Sequence, residues 1–140
     1  MKRILIIGGY PKSLIQFRGK LIESFVEKGY EVSACSHGDD KEVTNKLNEI
    51  GVKYIPAKIM RTSINPINDL LLIIQLISII RKIQPNIVLT YTIKPVIFGM
   101  IAARLSGVKK RYAMITGLGY VFTSVDSIGE KVLRLTVSFL

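Results

Sequence analysis

Several residue types are scarce in this chain, and each scarcity narrows the chemistry open to it. The 140 residues include one cysteine, one histidine and no tryptophan. Cys35 has no second cysteine to pair with, which indicates a reducing, cytoplasmic environment. Cys35 and His37 alone cannot build a zinc site. The sequence also shows neither a Ser/His/Asp order nor a paired acidic motif, the patterns that would predict a hydrolase. We therefore expect no bound metal.

Long apolar runs are also missing. Only four apolar residues precede Gly8 after the basic start of the chain, too few for the core of a signal peptide. The longest run, residues 70–80, has 11 residues and includes Gln75 and Ser78, whereas a membrane span needs about 20. The sequence therefore predicts no bilayer-spanning segment.

Acidic residues are half as common as basic ones, with 10 against 20 and a net charge of +10. Such an excess favours contact with phosphates, nucleic acid or an anionic membrane face. No nucleic-acid recognition module accompanies the charge, so we expect no nucleic-acid partner. A length of 140 residues with 49% hydrophobic content predicts a single domain with a substantial core.

Strand and helix patterns alternate along the chain. Short β-branched runs predict five strands, at residues 3–7, 31–35, 53–55, 87–90 and 111–115. Helices are predicted at residues 14–28, 41–50, 66–83, 95–106 and 129–140. Ser13 and Gln16 form a capping-box pattern for the first helix, and Asn65 with Pro66 predicts the start of the third. This alternation predicts an α/β protein with a Rossmann-like, doubly wound parallel sheet and right-handed crossovers.

Polar loops follow the last two predicted strands. Tyr91, Thr92 and Lys94 come after the fourth strand, and the segment 116–120, with Gly117 and Gly119, comes after the fifth. The carboxyl ends of parallel strands meet at one edge of the sheet, where ligands bind in open α/β folds. We therefore expect these loops to share a ligand site, with the two glycines allowing close backbone approach.

The loop after the first strand carries Gly8 and Gly9 but lacks both the dinucleotide fingerprint and the Walker pattern. A tight strand-to-helix turn explains the two glycines. Alternatively, backbone amides at the helix start, helped by Lys12 or Arg18, receive an anion or a sugar hydroxyl group.

Two further cations precede helices. Arg61 lies beside the start of the long third helix, where the helix dipole disfavours a cation unless an anion is also bound. Lys94 precedes the fourth helix, so it either contacts an anion or is an ordinary surface lysine. The third helix itself is apolar almost all round. It is either buried between the sheet and another layer or partly exposed to a membrane surface, with nearby basic residues contacting headgroups.

Four segments carry a resemblance when they are taken in order. They are Gly-Gly-Tyr-Pro-Lys-Ser-Leu-Ile-Gln-Phe-Arg-Gly (8–19), Arg-Thr-Ser-Ile-Asn-Pro (61–66), Thr-Tyr-Thr-Ile-Lys-Pro-Val-Ile-Phe-Gly (90–99) and Ile-Thr-Gly-Leu-Gly-Tyr-Val-Phe-Thr (115–123). Together they resemble the N-terminal half of GT-B glycosyltransferases. The most similar group is the bacterial glycosyltransferase 4-like enzymes that build capsule, O-antigen (lipopolysaccharide) or N-glycan precursors on undecaprenyl diphosphate.

The resemblance implies retaining transfer of a sugar from a nucleotide sugar to an undecaprenyl-diphosphate-linked saccharide. It also implies a peripheral position on an anionic membrane surface, the inner face of the cell membrane. In that family the N-terminal domain handles the acceptor and the C-terminal domain holds most of the donor, with no further cofactor. Carried over by position, the acceptor side comprises Gly8, Gly9, Arg18, Arg61, Thr92, Lys94, Gly117, Gly119 and Tyr120.

The family's C-terminal donor domain has no counterpart in these 140 residues, which we read as a single domain, 1–140. The apolar end of the last predicted helix has no polar tail, so we expect it to pack on something outside this chain. The chain is therefore expected to be nearly inactive alone, as a fragment, a truncated reading frame or one subunit of a split enzyme.

Two other functions remain open. A non-catalytic, membrane-recruiting subunit of a split glycosyltransferase would share the basic and apolar features. A nucleotide-dependent oxidoreductase is the more distant alternative. It is weakened by the missing glycines and by residues 33–36, Ser-Ala-Cys-Ser, where a ribose-binding acid would be expected.

Overall fold

The computed structural model describes residues 1–60, 62 and 64–115. These residues form five strands, namely β1 (Arg3–Ile7), β2 (Glu31–His37), β3 (Lys53–Ala57), β4 (Ile87–Tyr91) and β5 (Lys110–Met114). The helices are α1 (Ser13–Gln16), α2 (Gly19–Glu27), α3 (Lys41–Glu49), α4 (Pro66–Ile83) and α5 (Met100–Leu105), with a π-helical turn at Pro95–Gly99 before α5. All five strands that the sequence predicts are confirmed, and β2 and β3 each extend two residues further than predicted.

The strands form one parallel sheet in the order β3-β2-β1-β4-β5. The chain builds outward from β1 to β3, then returns to pair β4 with the other side of β1. The predicted Rossmann-like parallel sheet is therefore confirmed. The strand order reverses between β1 and β4. The loops that follow these two strands lead to helices on opposite faces of the sheet.

Helices cover both faces of the sheet, and the side chains of β1 pack against the helices on each face. Ile4 and Ile6 pack in a core cluster with Leu14, Ile22, Val43 and Leu47 from α1, α2 and α3. Leu5 and Ile7 point the other way and pack with side chains of α4 and α5. A strand buried on both faces needs a continuous apolar run rather than an alternating one, which is what residues 4–7 supply.

The first predicted helix, residues 14–28, is wrong as a single element. It breaks between α1 and α2 because Phe17 and Arg18 have φ angles of −113° and −115°, well away from helical values. The capping-box prediction is also wrong. The Ser13 hydroxyl donates to the Tyr10 carbonyl at 2.5 Å, and it forms a second hydrogen bond across the fold instead of capping the helix.

The other helix starts follow the sequence more closely. The Asn65 side chain accepts a hydrogen bond from the Ile67 amide at 3.0 Å, so the predicted cap of α4 is confirmed, with Pro66 in the first turn. The predicted helix 95–106 instead begins as the π-helical turn. Gly99 in that turn lies so close to β4 that a Cβ there would be 2.9 Å from Thr90 Cγ2.

Helix α4 is apolar on two opposite faces. Leu72, Leu76 and Ile80 are buried against the sheet. The opposite face of the first half of the helix is exposed in the described part of the chain, and we call it the α4 stripe: Ile67, Leu70, Leu71 and Ile74. Within the described residues, no helix is both long and apolar enough to cross a membrane.

Candidate functional site

The reversal of strand order opens a crevice at the carboxyl edge of the sheet. β1 and β4 are neighbours, paired from Ile4 with Ile87 to Ile7 with Thr90. The loop after β1 leads into α1 on one face, whereas the loop after β4 leads into α5 on the other. In open α/β sheets such a divergence leaves room for a ligand between the two loops. The candidate site is built from these two loops and the helices that follow them.

Tyr91, the last residue of β4, fills the base of this crevice. Its side chain is 2% exposed and packs with the α1–α3 side of the core. A Cβ added at Gly8 would lie 2.3 Å from both the Cζ and Oη atoms of Tyr91, a distance that real Cβ contacts do not show. Gly8 is therefore required so that the ring can pass beneath the loop after β1.

A directed hydrogen-bond chain fixes the tyrosine hydroxyl. The Tyr91 and Ser13 hydroxyl oxygens are 2.7 Å apart. Because Ser13 has one hydroxyl proton and donates it to the Tyr10 carbonyl, the Tyr91 hydroxyl must donate to Ser13. Burial raises the pKa of Tyr91 against smaller opposing effects of Ser13 and Arg18, so the phenol keeps the proton that it donates.

The two loops are also joined through Thr92. Its Oγ1 accepts a hydrogen bond from the Gly9 amide at 3.1 Å. Thr92 has a φ of 68°, in the left-handed region that a β-branched residue rarely occupies. Such strain costs about 1–3 kcal/mol and is concentrated at functional sites, where the surrounding structure enforces it.

Arg18 brings positive charge to the crevice. Its guanidinium carbon lies 5.0 Å from the centre of the Tyr91 ring, within cation–π range. Nη1 donates to the Phe17 carbonyl at 3.3 Å. Nε is buried and has no hydrogen-bond partner within the described part of the chain. An unpaired buried donor is costly, so Arg18 has hydrogen-bonding capacity that the described residues leave unused.

Lys94 has a partner. Its Nζ lies 3.1 Å from the Asp69 Oδ1, and the two side chains are 14% and 20% exposed. The pair joins the loop after β4 to the first turn of α4, where a carboxylate also suits the helix dipole. An anionic ligand at Lys94 would have to compete with Asp69. A small cavity of about 70 Å³ lies beside the pair, lined in part by Lys58, Met60 and Leu71.

Five predicted site residues can therefore be placed. Gly9 and Thr92 are hydrogen-bonded, Arg18 stacks on Tyr91, Gly8 accommodates that ring, and Lys94 is paired. The other four lie outside the described residues: Arg61, Gly117, Gly119 and Tyr120.

Sequence reasoning missed three contributors to this geometry: Ser13 was assigned to a helix cap, Tyr91 to the ligand-facing edge, and Asp69 to no role. The alternation along β4, which puts Tyr91 on the same face as Leu89, was the available signal for the ring's inward direction.

A larger groove of about 680 Å³ lies at the opposite, amino edge of the sheet. It runs between α4 and the strands β2 and β3, and Arg3, Glu31 and Lys53 are among its lining residues. Arg3 and Glu31 neutralise each other at 3.2 Å. The carboxyl edge is the stronger candidate because it combines the strand-order reversal, the glycine loop and the strained Thr92.

Other reactive groups are inert or dispersed. Burial raises the pKa of the Cys35 thiol to about 12, so it is a protonated core residue. Among the residues placed by the structure, no group of three or more His, Cys, Asp or Glu side chains could hold a metal ion. The carboxyl-edge site thus offers hydrogen-bond donors and positive charge, which suit an anionic ligand.

Comparisons with known proteins agree with this architecture. Residues 14–138 match the family described as glycosyl transferase 4-like. A curated relative from Campylobacter jejuni subsp. jejuni serotype O:2 is 28% identical over 117 residues, which is 84% of this chain and 31% of the relative. That relative is the N,N'-diacetylbacillosaminyl-diphospho-undecaprenol alpha-1,3-N-acetylgalactosaminyltransferase. The chain thus spans about a third of the relative's length.

Solved structures share the fold at low identity. MurG of Acinetobacter baumannii matches 82% of this chain with a TM-score of 0.62 and 16% identity, over 33% of its own length. A deacetylase of the teicoplanin biosynthesis pathway matches 99% of this chain with a TM-score of 0.66 and 13% identity, over 83% of its own length. Because a deacetylase shares the fold of this chain, the fold alone does not assign a function. The sequence match does assign a family: this chain belongs to the glycosyl transferase 4-like family.

Proposed function

We propose that this chain is the acceptor-binding part of a glycosyltransferase that acts on a polyprenyl-diphosphate-linked saccharide. The sugar would come from a nucleotide sugar by the retaining route that the family resemblance implies, with the donor held mainly by a C-terminal domain or partner subunit. Support comes from the family match and from a relative whose name specifies a diphospho-undecaprenol acceptor. The family match also weighs against the oxidoreductase alternative.

One observation carries the proposal: the positive charge of Arg18 lies at the reversal point of the sheet, and an ion pair joins this edge to α4, a helix with an exposed apolar face. The Gly9–Thr92 loop contact and Arg18 form the polar part. The ion pair between Lys94 and Asp69 links that part of the fold to the first turn of α4, where the α4 stripe begins. A diphosphate attached to a polyprenyl chain presents the same pairing of anion and apolar tail.

Arginine suits the diphosphate end of such a ligand. Its planar guanidinium can donate two parallel hydrogen bonds to phosphate oxygens, and it stays charged at all physiological pH values. Within the described residues no carboxylate pairs with Arg18, and the tyrosine ring beneath it carries no charge, in contrast to the carboxylate beside Lys94. Arg18 is therefore the principal diphosphate contact in this proposal.

The α4 stripe suits the lipid end. Leu70 and Leu71 are each 58% exposed, and Ile67 is 70% exposed. Further along the same helix the exposed positions become basic at Arg81 and Lys82. An apolar helix face with flanking cations is typical of helices that lie in the interface of an anionic membrane. The stripe would therefore hold the chain at the membrane surface that carries the acceptor.

Binding of geranyl diphosphate to the full chain, measured by calorimetric titration, tests the acceptor assignment. The unmodified chain should bind, and Arg18→Gln should weaken binding roughly ten- to a hundredfold, the range for a hydrogen bond to a charged group. Lys53→Gln is the charge-matched control, because Lys53 is exposed at the amino edge of the sheet. No binding by the folded chain, or equal weakening by both substitutions, would contradict the proposal.

Sedimentation with phosphatidylglycerol vesicles tests the membrane surface separately. Leu70→Ser combined with Leu71→Ser should reduce binding strongly. Leu105→Ser, at a residue of α5 that is 62% exposed, should leave it unchanged. Equal effects of the two changes would refute a role specific to the α4 stripe. Vesicle binding by a chain that never binds geranyl diphosphate would favour the membrane-recruiting subunit instead.

A further inference from the structure

Tyr91 is placed to do more than fill the core. We infer that Tyr91 is a positioning residue for the acceptor's diphosphate, because its ring holds the Arg18 guanidinium at the crevice without neutralising it. This inference rests on the proposed function, in which Arg18 contacts the diphosphate. Tyr91 itself contacts no ligand in this scheme and acts on the diphosphate through Arg18.

The ring is itself held in place. It is buried, the loop at Gly8 lies directly over it, and its hydroxyl donates to the Ser13 oxygen at 2.7 Å. Ser13 is anchored in turn on the Tyr10 carbonyl. These contacts come from β4 on one side and from the β1–α1 loop on the other, so the ring has little freedom to rotate or to shift.

A fixed ring is a suitable support for a cation that must remain available. Arg18 has a long side chain, and holding it in one position before the ligand arrives removes part of the entropic cost of binding. The cation–π contact at 5.0 Å attracts the charge but uses none of the N–H donors. A carboxylate in that position would consume donors and cancel the charge, as Asp69 does for Lys94.

The hydrogen-bond state of Arg18 agrees with this role. Nη1 is engaged by the Phe17 carbonyl, which fixes one end of the guanidinium. Nε is buried with no acceptor among the residues that the structure describes. A bound diphosphate would give the guanidinium group acceptor oxygens, and charge-assisted hydrogen bonds of this kind are the strong ones.

A double-mutant cycle with geranyl diphosphate as the probe tests the inference. Tyr91→Met fills the space with an apolar chain but removes the ring, and it should weaken binding roughly five- to thirtyfold. Tyr91→Phe keeps the ring and should bind within about threefold of the unmodified chain, even where the lost hydroxyl lowers stability. In an Arg18→Gln background, Tyr91→Met should have no additional effect, because Tyr91 acts through Arg18.

A second pair of variants covers the case in which Tyr91→Met fails to fold. Pentafluorophenylalanine at position 91 has nearly the shape of phenylalanine but an inverted ring quadrupole, so it should bind geranyl diphosphate at least fivefold more weakly than Tyr91→Phe. Equal affinities for these two variants, or independent effects of Arg18→Gln and Tyr91→Met, would overturn the inference and leave the proposed function standing. Absence of binding by the unmodified chain would overturn both.

Discussion

Replacing Gly8 by alanine should destabilise the fold by an amount that the structure allows us to work out. The new Cβ would lie 2.3 Å from Tyr91 Cζ and Oη and 2.7 Å from Cε1, whereas ordinary contacts begin near 3.4 Å. The ring would have to retreat by about 1 Å into a closely packed core. Overpacking of this kind costs about 1–3 kcal/mol.

A retreating ring would also lose its hydrogen bond to Ser13. A buried donor left without an acceptor costs about 1–3 kcal/mol. Because the two effects overlap, we expect Gly8→Ala to lower the free energy of unfolding by about 2–4 kcal/mol, a large part of the roughly 5–15 kcal/mol typical of a domain.

Urea unfolding of the full chain, followed by circular dichroism, measures this change. Gly19→Ala is the matched control, because a Cβ at Gly19 would meet nothing closer than the Leu14 carbonyl oxygen at 4.0 Å. It should be neutral or stabilising by about 0.4–1 kcal/mol. A loss below about 0.5 kcal/mol for Gly8→Ala, or equal losses at both glycines, would refute the close contact between Gly8 and Tyr91.

Two further predictions concern the core and its cysteine. Leu72→Ala should lower the free energy of unfolding by about 2–5 kcal/mol because Leu72 is 3% exposed, whereas Leu71→Ala, at 58% exposure, should lower it by less than about 1 kcal/mol. Similar losses for the two variants in urea unfolding would contradict the assignment of one buried and one exposed face to α4. Cys35, with a pKa raised to about 12 and no exposure, should react with iodoacetamide at pH 8 only after unfolding, and rapid reaction of the native chain would show that the thiol is accessible.

The strands could be predicted from sequence because each is a short, apolar run bounded by turn residues. Residues 4–7 must be buried on both faces, and only a central strand of a parallel sheet with helices on both sides meets that need. The start of α4 could also be predicted from the sequence, since Asn65 and Pro66 act through local hydrogen bonding and backbone geometry.

The failure of the predicted cap at Ser13 could not be foreseen from the sequence, because the contact that replaces it is distant in sequence. Ser13 and Gln16 have the local pattern of a cap, yet the Ser13 hydroxyl bonds to Tyr91, 78 residues away. A tertiary hydrogen bond overrode the local preference. The partner of Lys94 is also distant in sequence, because Asp69 lies on α4, 25 residues earlier.

The edge of the sheet at which the candidate site lies follows from the predicted fold, whereas the contacts within it could not be predicted. Parallel strands direct their following loops to one edge whatever the side chains, so Gly9 and Thr92 were expected near each other. The inward direction of Tyr91 and the stacking of Arg18 on its ring depend on packing between β4 and the β1–α1 loop. Arg61, Gly117, Gly119 and Tyr120 stay predictions.

The central claim is that an anionic acceptor binds at the carboxyl edge, between β1 and β4. Amide chemical-shift mapping of the isotopically labelled chain during titration with geranyl diphosphate tests it most directly. The largest changes should fall on Gly9, Thr92 and their neighbours, with saturation at a single affinity. Largest changes at Arg3 and Lys53, around the groove at the amino edge, or small changes spread over the surface lysines, would contradict the claim.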